Sequence, residues 1–325
     1  MAAVEEICLK VAPYGHRVSA KKWGTLDGVG DNVVIALHGW LDNASSFDLI
    51  APHLVAAGFC IYALDLPGHG KSEWSGMYDH AKMARSMHAF ILAAGLKTPL
   101  LILAHSYGAQ CAFALCAAAP SLVRRIVMLD EIGPPCRFAG IPESYLRGPS
   151  LEYFAAVAGI TARQPRRLSS VDEAVSRRYK NHAPPYPKAS EALGPPRWPL
   201  SREEVELILC ERGVRRSSDG GAWEYSHDPQ LQYDFSMRSG IPPLEVRKEM
   251  AKAITAQVLW VRTQSAREFL QFTYAADFTN LLVADVQGTH FVHLQNPEVV
   301  ADLVHRFFQG DSSAGIPLEG AKSCL

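Results

Sequence analysis

The chain has no long hydrophobic run, no paired cysteines and no excess charge of either sign. Its cleanest apolar stretch, Cys111 to Ala119, falls far short of the roughly 20 residues a membrane span needs. The opening residues, MAAVEEICLK, are acidic and carry no apolar core, so no secretory signal is expected. Seven cysteines, at 8, 60, 111, 116, 136, 210 and 324, are odd in number, scattered and without a CxxC pair. That pattern argues against a disulfide framework and a zinc site, and points to small core residues in a reducing, cytoplasmic setting. The formal net charge is −1, so no global field draws the chain to nucleic acid or anionic membrane. No internal repeat is visible. What these absences leave is a small metabolite or lipid-like molecule as the expected partner.

Apolar residues make up 48% of the 325, ample for a large core. Val33–Leu37, Cys60–Leu64, Leu100–Ala104 and Ile126–Leu129 read as buried strands closed by Gly, Asp or His. Between them Phe47–Ala57, Ala81–Ala94 and Ala109–Ala118 carry apolar residues at helical spacing. Strands alternating with helices imply an α/β fold, a mostly parallel, doubly wound sheet covered on both faces. Ile7–Val11 and Val18–Trp23 are candidates for antiparallel edge strands.

The rhythm breaks from about residue 133 to 246. There the helix-like patches Leu151–Ala158, Val171–Tyr179 and Arg202–Glu211 surround a Pro-rich stretch, Pro184–Pro199. The pattern resumes with strands Val258–Val261 and Leu281–Val286 and a helix Pro297–Phe308. The expected organisation is therefore a core of 1–132 and 247–309, a helical cap inserted at 133–246, and a flexible tail at 310–325.

Ala104-His105-Ser106-Tyr107-Gly108 follows an apolar strand and opens an Ala-rich helix. This is the setting of a nucleophile elbow, a strained turn that holds Ser106 exposed and needs small residues two positions away on each side. Gly108 meets that need; Ala104 adds one methyl. The plainer reading is that Ser106 caps the helix. Upstream, His38-Gly39-Trp40 ends another strand, where the backbone N–H of Trp40, with that of Tyr107, would form an oxyanion hole. Read alone, it is an ordinary strand-end turn. Asp65-Leu66-Pro67-Gly68-His69-Gly70-Lys71-Ser72 lacks the first glycine of a phosphate loop, so Asp65 and His69 are expected to hold loops together.

In the order and spacing of His38-Gly39-Trp40-Leu41-Asp42-Asn43-Ala44 and Leu103-Ala104-His105-Ser106-Tyr107-Gly108, the chain resembles the α/β-hydrolase superfamily, and within it the serine hydrolase-like group. The resemblance covers nearly the full length apart from the cap. It implies a serine hydrolase acting on esters or thioesters through an acyl-enzyme, with no metal or organic cofactor. It also makes His290, in Gly288-Thr289-His290-Phe291-Val292-His293, the matching general base, with His293 its rival.

The acid departs from the common pattern. Many relatives place an Asp shortly after the strand that here is Val258–Val261, but this chain reads Arg262-Thr263-Gln264-Ser265-Ala266-Arg267. A minority place the acid after the preceding strand, where Asp130 stands. Asp130 is the expected third member, with Glu131 and Glu268 as alternatives; as a bland alternative, Asp130 caps a turn. Serine at the elbow points away from relatives that use Asp there to attack carbon.

Arg147–Arg216 holds thirteen basic and eight acidic residues, a solvated cap face or a draw for anionic substrates. Tyr153, Phe154, Trp223 and Tyr225 are candidates for an acyl pocket or for core. Ser323-Cys324-Leu325 partly matches the peroxisomal Ser-Lys-Leu address. A binding protein with decayed catalysis, and an amidase or peptidase, are the alternatives to an esterase.

Overall fold

The computed structural model describes residues 3–13, 15–25, 32–76, 78–135, 137–138, 165–182, 201–210, 212–233 and 241–318. Among them the chain runs β1 (Val4–Lys10), β2 (Arg17–Trp23), β3 (Val33–Leu37), α1 (Ala51–Ala56), β4 (Cys60–Leu64), α2 (His80–Ala93), β5 (Leu100–His105), α3 (Tyr107–Ala118) and β6 (Val123–Leu129). After the insert come α6 (Leu244–Ala253), β11 (Gln257–Arg262), α7 (Gln264–Phe269), β12 (Leu270–Gln271), β13 (Leu281–Asp285), α8 (Val292–Gln295), α9 (Pro297–Gln309) and β14 (Ile316–Pro317).

Nine of these strands form one sheet, in the order β1-β2-β4-β3-β5-β6-β11-β13-β14. The six from β4 to β13 are parallel, and antiparallel strands close the sheet at both ends. Both faces are buried, which explains why the parallel strands read as unbroken apolar runs rather than alternating ones. Ile35, Ile102 and Met128 pack toward one side with Met83, Phe90, Phe113 and Ala251 of α2, α3 and α6. Val34, Leu103 and Val127 pack toward the other with Leu54, Val304 and Phe308 of α1 and α9. The winding reverses between β3 and β5: β4 lies to one side of β3 and β5 to the other. Loops leaving the carboxyl ends of such a pair diverge and open a crevice, the general position of sites in sheets of this kind.

Three expectations change in detail. The helix expected over Phe47–Ala57 is split into a 3-10 turn, Ala44–Phe47, and α1, with Pro52 in the first turn of α1. Pro52 lacks an N–H and would break a continuous helix there. The insert is not purely helical. Beside α4 (Val171–His182) and α5 (Arg202–Cys210) it holds an antiparallel sheet of β8 (Arg167–Leu168), β10 (Trp223–Tyr225) and β9 (Val214–Arg216), in that order. A further strand, β7 (Arg137–Phe138), pairs with β12 of the core. Residues 310–318 of the expected flexible tail are ordered instead. Ile316 and Pro317 pair with β13, and Ala314 and Leu318 are buried. The patch Leu151–Ala158 with Tyr153 and Phe154, the stretch Pro184–Pro199 and Ser323–Leu325 lie outside the described residues. No described helix is long and apolar enough to cross a membrane.

Candidate active site

Ser106 sits in the turn between β5 and α3 with φ 51° and ψ −120°, a backbone conformation that costs a non-glycine residue roughly 1–3 kcal/mol. Close packing maintains it. A Cβ on Gly108 would lie 2.4 Å from the Leu37 carbonyl oxygen and 2.8 Å from that of His38, so only glycine lets α3 meet the end of β3. Ser106 N–H donates to Leu129 O at 3.2 Å, and Ser106 O accepts from Ala109 N–H and Gln110 N–H. Ala104, the departure from the usual glycine, is fully buried in the strand.

Gly39 lies directly against the elbow: a Cβ there would come 3.4 Å from Ser106 Cβ. The next residue, Trp40, packs its ring edge-on to that of Tyr107, with centroids 4.8 Å apart. Tyr107 is the first residue of α3, so its amide stands at the positive end of the helix. Two neutral imidazoles hold the Trp40 loop. His38 Nε2 accepts from Leu66 N–H at 3.0 Å, and His69 Nε2 accepts from Leu41 N–H at 3.2 Å. Burial lowers both rings' pKa, His38 to about 4, which keeps those nitrogens free to accept at neutral pH. Asp65 accepts from the Ala44 and Lys71 amides and pairs with Arg212, so this acid and His69 hold loops together.

The insert reaches down to the same loop. Arg178 donates to Leu41 O at 3.1 Å and to Asp42 Oδ1 at 3.3 Å. The fully buried Arg212 bridges Asp65 and Glu6. Arg167, Arg177, Arg202 and Arg215 each stand against a carboxylate as well. The charge of these six described arginines is therefore balanced within the fold. Trp223 stacks under Arg216, and Tyr225 lies parallel to His227, so both aromatics have packing roles in the insert.

Asp130 follows β6 and is fully buried. Its Oδ2 accepts from His290 Nδ1 at 2.6 Å, and its Oδ1 accepts from the hydroxyl of Thr263. The backbone is pinned too: Asp130 N–H donates to Val261 O at 2.9 Å, and Trp260 Nε1 donates to Asp130 O at 3.0 Å. Asp130 has φ 67°, and Glu131 N–H closes back on Leu129 O at 2.9 Å. This is a γ-turn of positive φ, a rare and strained form.

His290 lies in the loop after β13, and His105 Nε2 ties its carbonyl to the elbow at 2.7 Å. Burial pulls the His290 pKa down, but the hydrogen bond and charge of Asp130 outweigh it, aided by Glu131 and Asp42, and the net direction is upward. Its rival His293 is buried against Phe47 and His105, and its ring makes no hydrogen bond to a described residue. Burial first, then the charge of His290, lowers its pKa to about 3. Of Glu268 only the helical backbone is described.

Ser106 Oγ itself donates to Glu131 Oε1, at 3.4 Å; no hydrogen bond joins it to His290 in this state. Glu131 was an alternative for the acid beside His290, and it stands instead beside the serine. The signal in the sequence was only its adjacency to Asp130. Chemically, the arrangement offers a hydroxyl on a strained turn, a carboxylate-held imidazole, a second buried carboxyl group and amides at a helix start. Among the described residues no group of three or more His, Cys, Asp or Glu is arranged to hold a metal ion.

A sheet of this order with a turn of this kind after β5 and a histidine loop after β13 is the α/β-hydrolase fold. Comparison agrees: the α/β hydrolase fold family matches residues 32–154. The human serine hydrolase-like protein 2 is 28% identical over 326 residues, covering 94% of each chain. An esterase of Mycobacterium tuberculosis is 33% identical over 117 residues, 35% of this chain and 36% of that one. Among solved structures, a thioesterase domain from the curacin biosynthetic pathway superposes with a TM-score of 0.72 at 20% identity, covering 93% of this chain and 99% of that one.

Proposed function

We propose that the protein is a serine hydrolase that cleaves a carboxylic ester or thioester through an acyl-enzyme. The observation that carries this reading is the pairing of a strained Ser106 with the 2.6 Å contact between His290 and Asp130. Ser106 Oγ attacks the carbonyl carbon, and its proton passes to His290 Nε2. The oxygen that becomes negative is received by the backbone N–H groups of Trp40 and Tyr107. The bond to the leaving group then breaks, and His290 returns the proton to the departing oxygen or sulfur. Water, deprotonated by the same imidazole, releases the acid and restores Ser106. Asp130 keeps the proton of His290 on Nδ1 throughout, so Nε2 stays free to accept. No metal or organic cofactor enters the scheme, and the partner is a small ester or acyl compound. An esterase among the similar proteins supports acyl transfer as the chemistry.

The test is labelling by a fluorophosphonate probe. Wild type should be labelled and Ser106→Ala should not. A folded wild-type protein that resists the probe would favour the second reading, a binding protein on a hydrolase fold. Matched ester and anilide substrates separate an esterase from an amidase.

A further inference from the structure

The γ-turn at Asp130 presents two consecutive carboxyl groups to one site, Asp130 to His290 and Glu131 to Ser106. Glu131 is held firmly. Its Oε2 accepts from Gln110 Nε2 at 2.5 Å, and Gln110 Oε1 is met by His80 Nε2 at 2.8 Å. The side chains thus link β6, α3 and α2 behind the nucleophile. A glutamine at position 131 could serve that linkage without burying an acid, which is 4% exposed here and costly to desolvate. A carboxyl group at such a place, on a strained turn and touching the Ser106 oxygen, calls for a chemical role.

We propose that Glu131 is a second proton acceptor for Ser106, acting beside the Asp130–His290 pair in forming the acyl-enzyme. The inference rests on the serine-hydrolase reading above. In this second route, as Ser106 Oγ forms its bond to the carbonyl carbon, its proton passes to Glu131 Oε1 in place of His290 Nε2 and the carbonyl electron pair moves onto oxygen. When the intermediate collapses, the bond to the leaving group breaks and Glu131 gives that proton to the departing atom. The carboxylate is regenerated, and no other reactant is needed.

Geometry and proton affinity both fit. The 3.4 Å contact is long for catalysis, but such contacts tighten once substrate is bound. Several groups set the charge of Glu131: Asp130 beside it, His290 from the loop after β13, Ser106 from the elbow, and Gln110 from α3 with His80 of α2 behind it. Burial pushes its carboxyl up to about 7; the charge of His290 and the bonds from Gln110 and Ser106 oppose that rise, while Asp130 adds to it. A base of this strength is matched to neutral pH.

The test measures second-order labelling of the full chain by a fluorophosphonate from about pH 5 to 9, with folding checked by circular dichroism. His290→Ala should retain a labelling rate that rises with pH, and the rise should lie above about 7 because the charge of His290 no longer opposes it. Adding Glu131→Gln should lower that rate by a further ~10²-fold or more. A second variant, Gln110→Leu, removes a donor that favours the ionised carboxyl, so in the His290→Ala background it should move the rise to higher pH. The proposal is overturned if His290→Ala is as unreactive as Ser106→Ala, if the double variant labels as fast as the single one, or if Gln110→Leu leaves the rise in place. Unlabelled wild type would remove the hydrolase reading and this one with it. Labelled wild type with silent His290→Ala would remove only the role of Glu131.

Discussion

Asp130→Asn tests the proposed relay at the contact on which it most depends. Asp130 is fully buried, so water cannot replace the lost carboxylate, and each of its oxygens already has a partner. The new amide can sit in two ways. If its NH2 faces His290, the ring must accept at Nδ1, and its proton moves to Nε2, where it blocks transfer from Ser106. In one serine protease that change cost about 10⁴ in kcat, equivalent to about 5.5 kcal/mol. If instead the NH2 faces Thr263, whose hydroxyl can accept, the tautomer survives and only charge assistance is lost. A hydrogen bond to a charged group contributes about 1.5–3 kcal/mol, or roughly 10- to 150-fold. The expected fall in kcat therefore lies between about 10- and 10⁴-fold. In the proposed scheme deacylation draws on His290, so the loss registers in turnover whichever base serves acylation.

The same substitution has a signature in pH. The proposed mechanism needs neutral His290, and Asp130 is what raises the pKa of that ring. Removing the carboxylate lets burial dominate, so the acidic limb of the residual activity should shift to lower pH. Stability follows the opposite sign. A histidine whose pKa is raised by folding adds stability in full below its unfolded value, about 6.5, and loses it as pH climbs through the folded value. The gap in unfolding temperature between wild type and Asp130→Asn should thus be widest at mildly acid pH and narrow above neutrality. Turnover of a chromogenic ester and thermal melts across pH are the assays. A variant within fivefold of wild type, with its acidic limb unmoved, would refute the claim that Asp130 orients and charges His290.

Three further outcomes are expected. Gly108→Val would force a side chain into the Leu37 and His38 carbonyls, so about 3 kcal/mol should be lost; an unchanged melting temperature would rule out the close approach. Arg212→Ala leaves Asp65 buried without its cation, and urea unfolding should register a loss of about 3–5 kcal/mol; a loss under 1 kcal/mol would contradict it. Deleting 311–325 uncovers the edge of β13 and removes the buried Leu318, so stability should fall by about 2–3 kcal/mol with ester turnover preserved, and lost turnover would contradict this.

The sheet was legible because parallel strands buried on both faces leave an unmistakable record, short runs such as Val33–Leu37 and Cys60–Leu64 with no polar interruption. The elbow was legible for a related reason: its glycine is demanded by backbone contact and its strand and helix flank it closely. The insert was harder to read. Strands of two or three residues, like Trp223–Tyr225, are too short to display a period of two. The cue lay instead in the turn before it, Ser217-Ser218-Asp219-Gly220-Gly221, where Asp219 accepts from Ser217 and from the Gly221 amide. The place of β14 was obscured by Gly and Ser around Ile316. The positive φ at Asp130 is one that Asp tolerates better than most residues but adopts at few positions, so its residue type alone does not announce it. That conformation decides which of two neighbouring acids faces the histidine and which the serine.

The absence of a carboxylate after β11 looked like a departure that could leave the relay incomplete, yet the sheet makes it a small displacement. β6 and β11 are hydrogen-bonded neighbours in parallel register, with Leu129 opposite Val261. Their carboxyl ends therefore lie side by side, and an acid after either strand starts about one strand spacing, roughly 4.8 Å, from an acid after the other. Here the residue after β11 is Thr263, and its hydroxyl donates to Asp130. The residue that follows β11 thus supplies a donor to the acid on the neighbouring strand. A threonine there does more than fill space: it satisfies the carboxylate oxygen that His290 leaves open, in a site where an unpaired buried charge would be expensive. The two strand ends divide one task. Placing the acid on β6 also puts Glu131 one residue further along the same turn, against Ser106, a position that an acid after β11 would not have created.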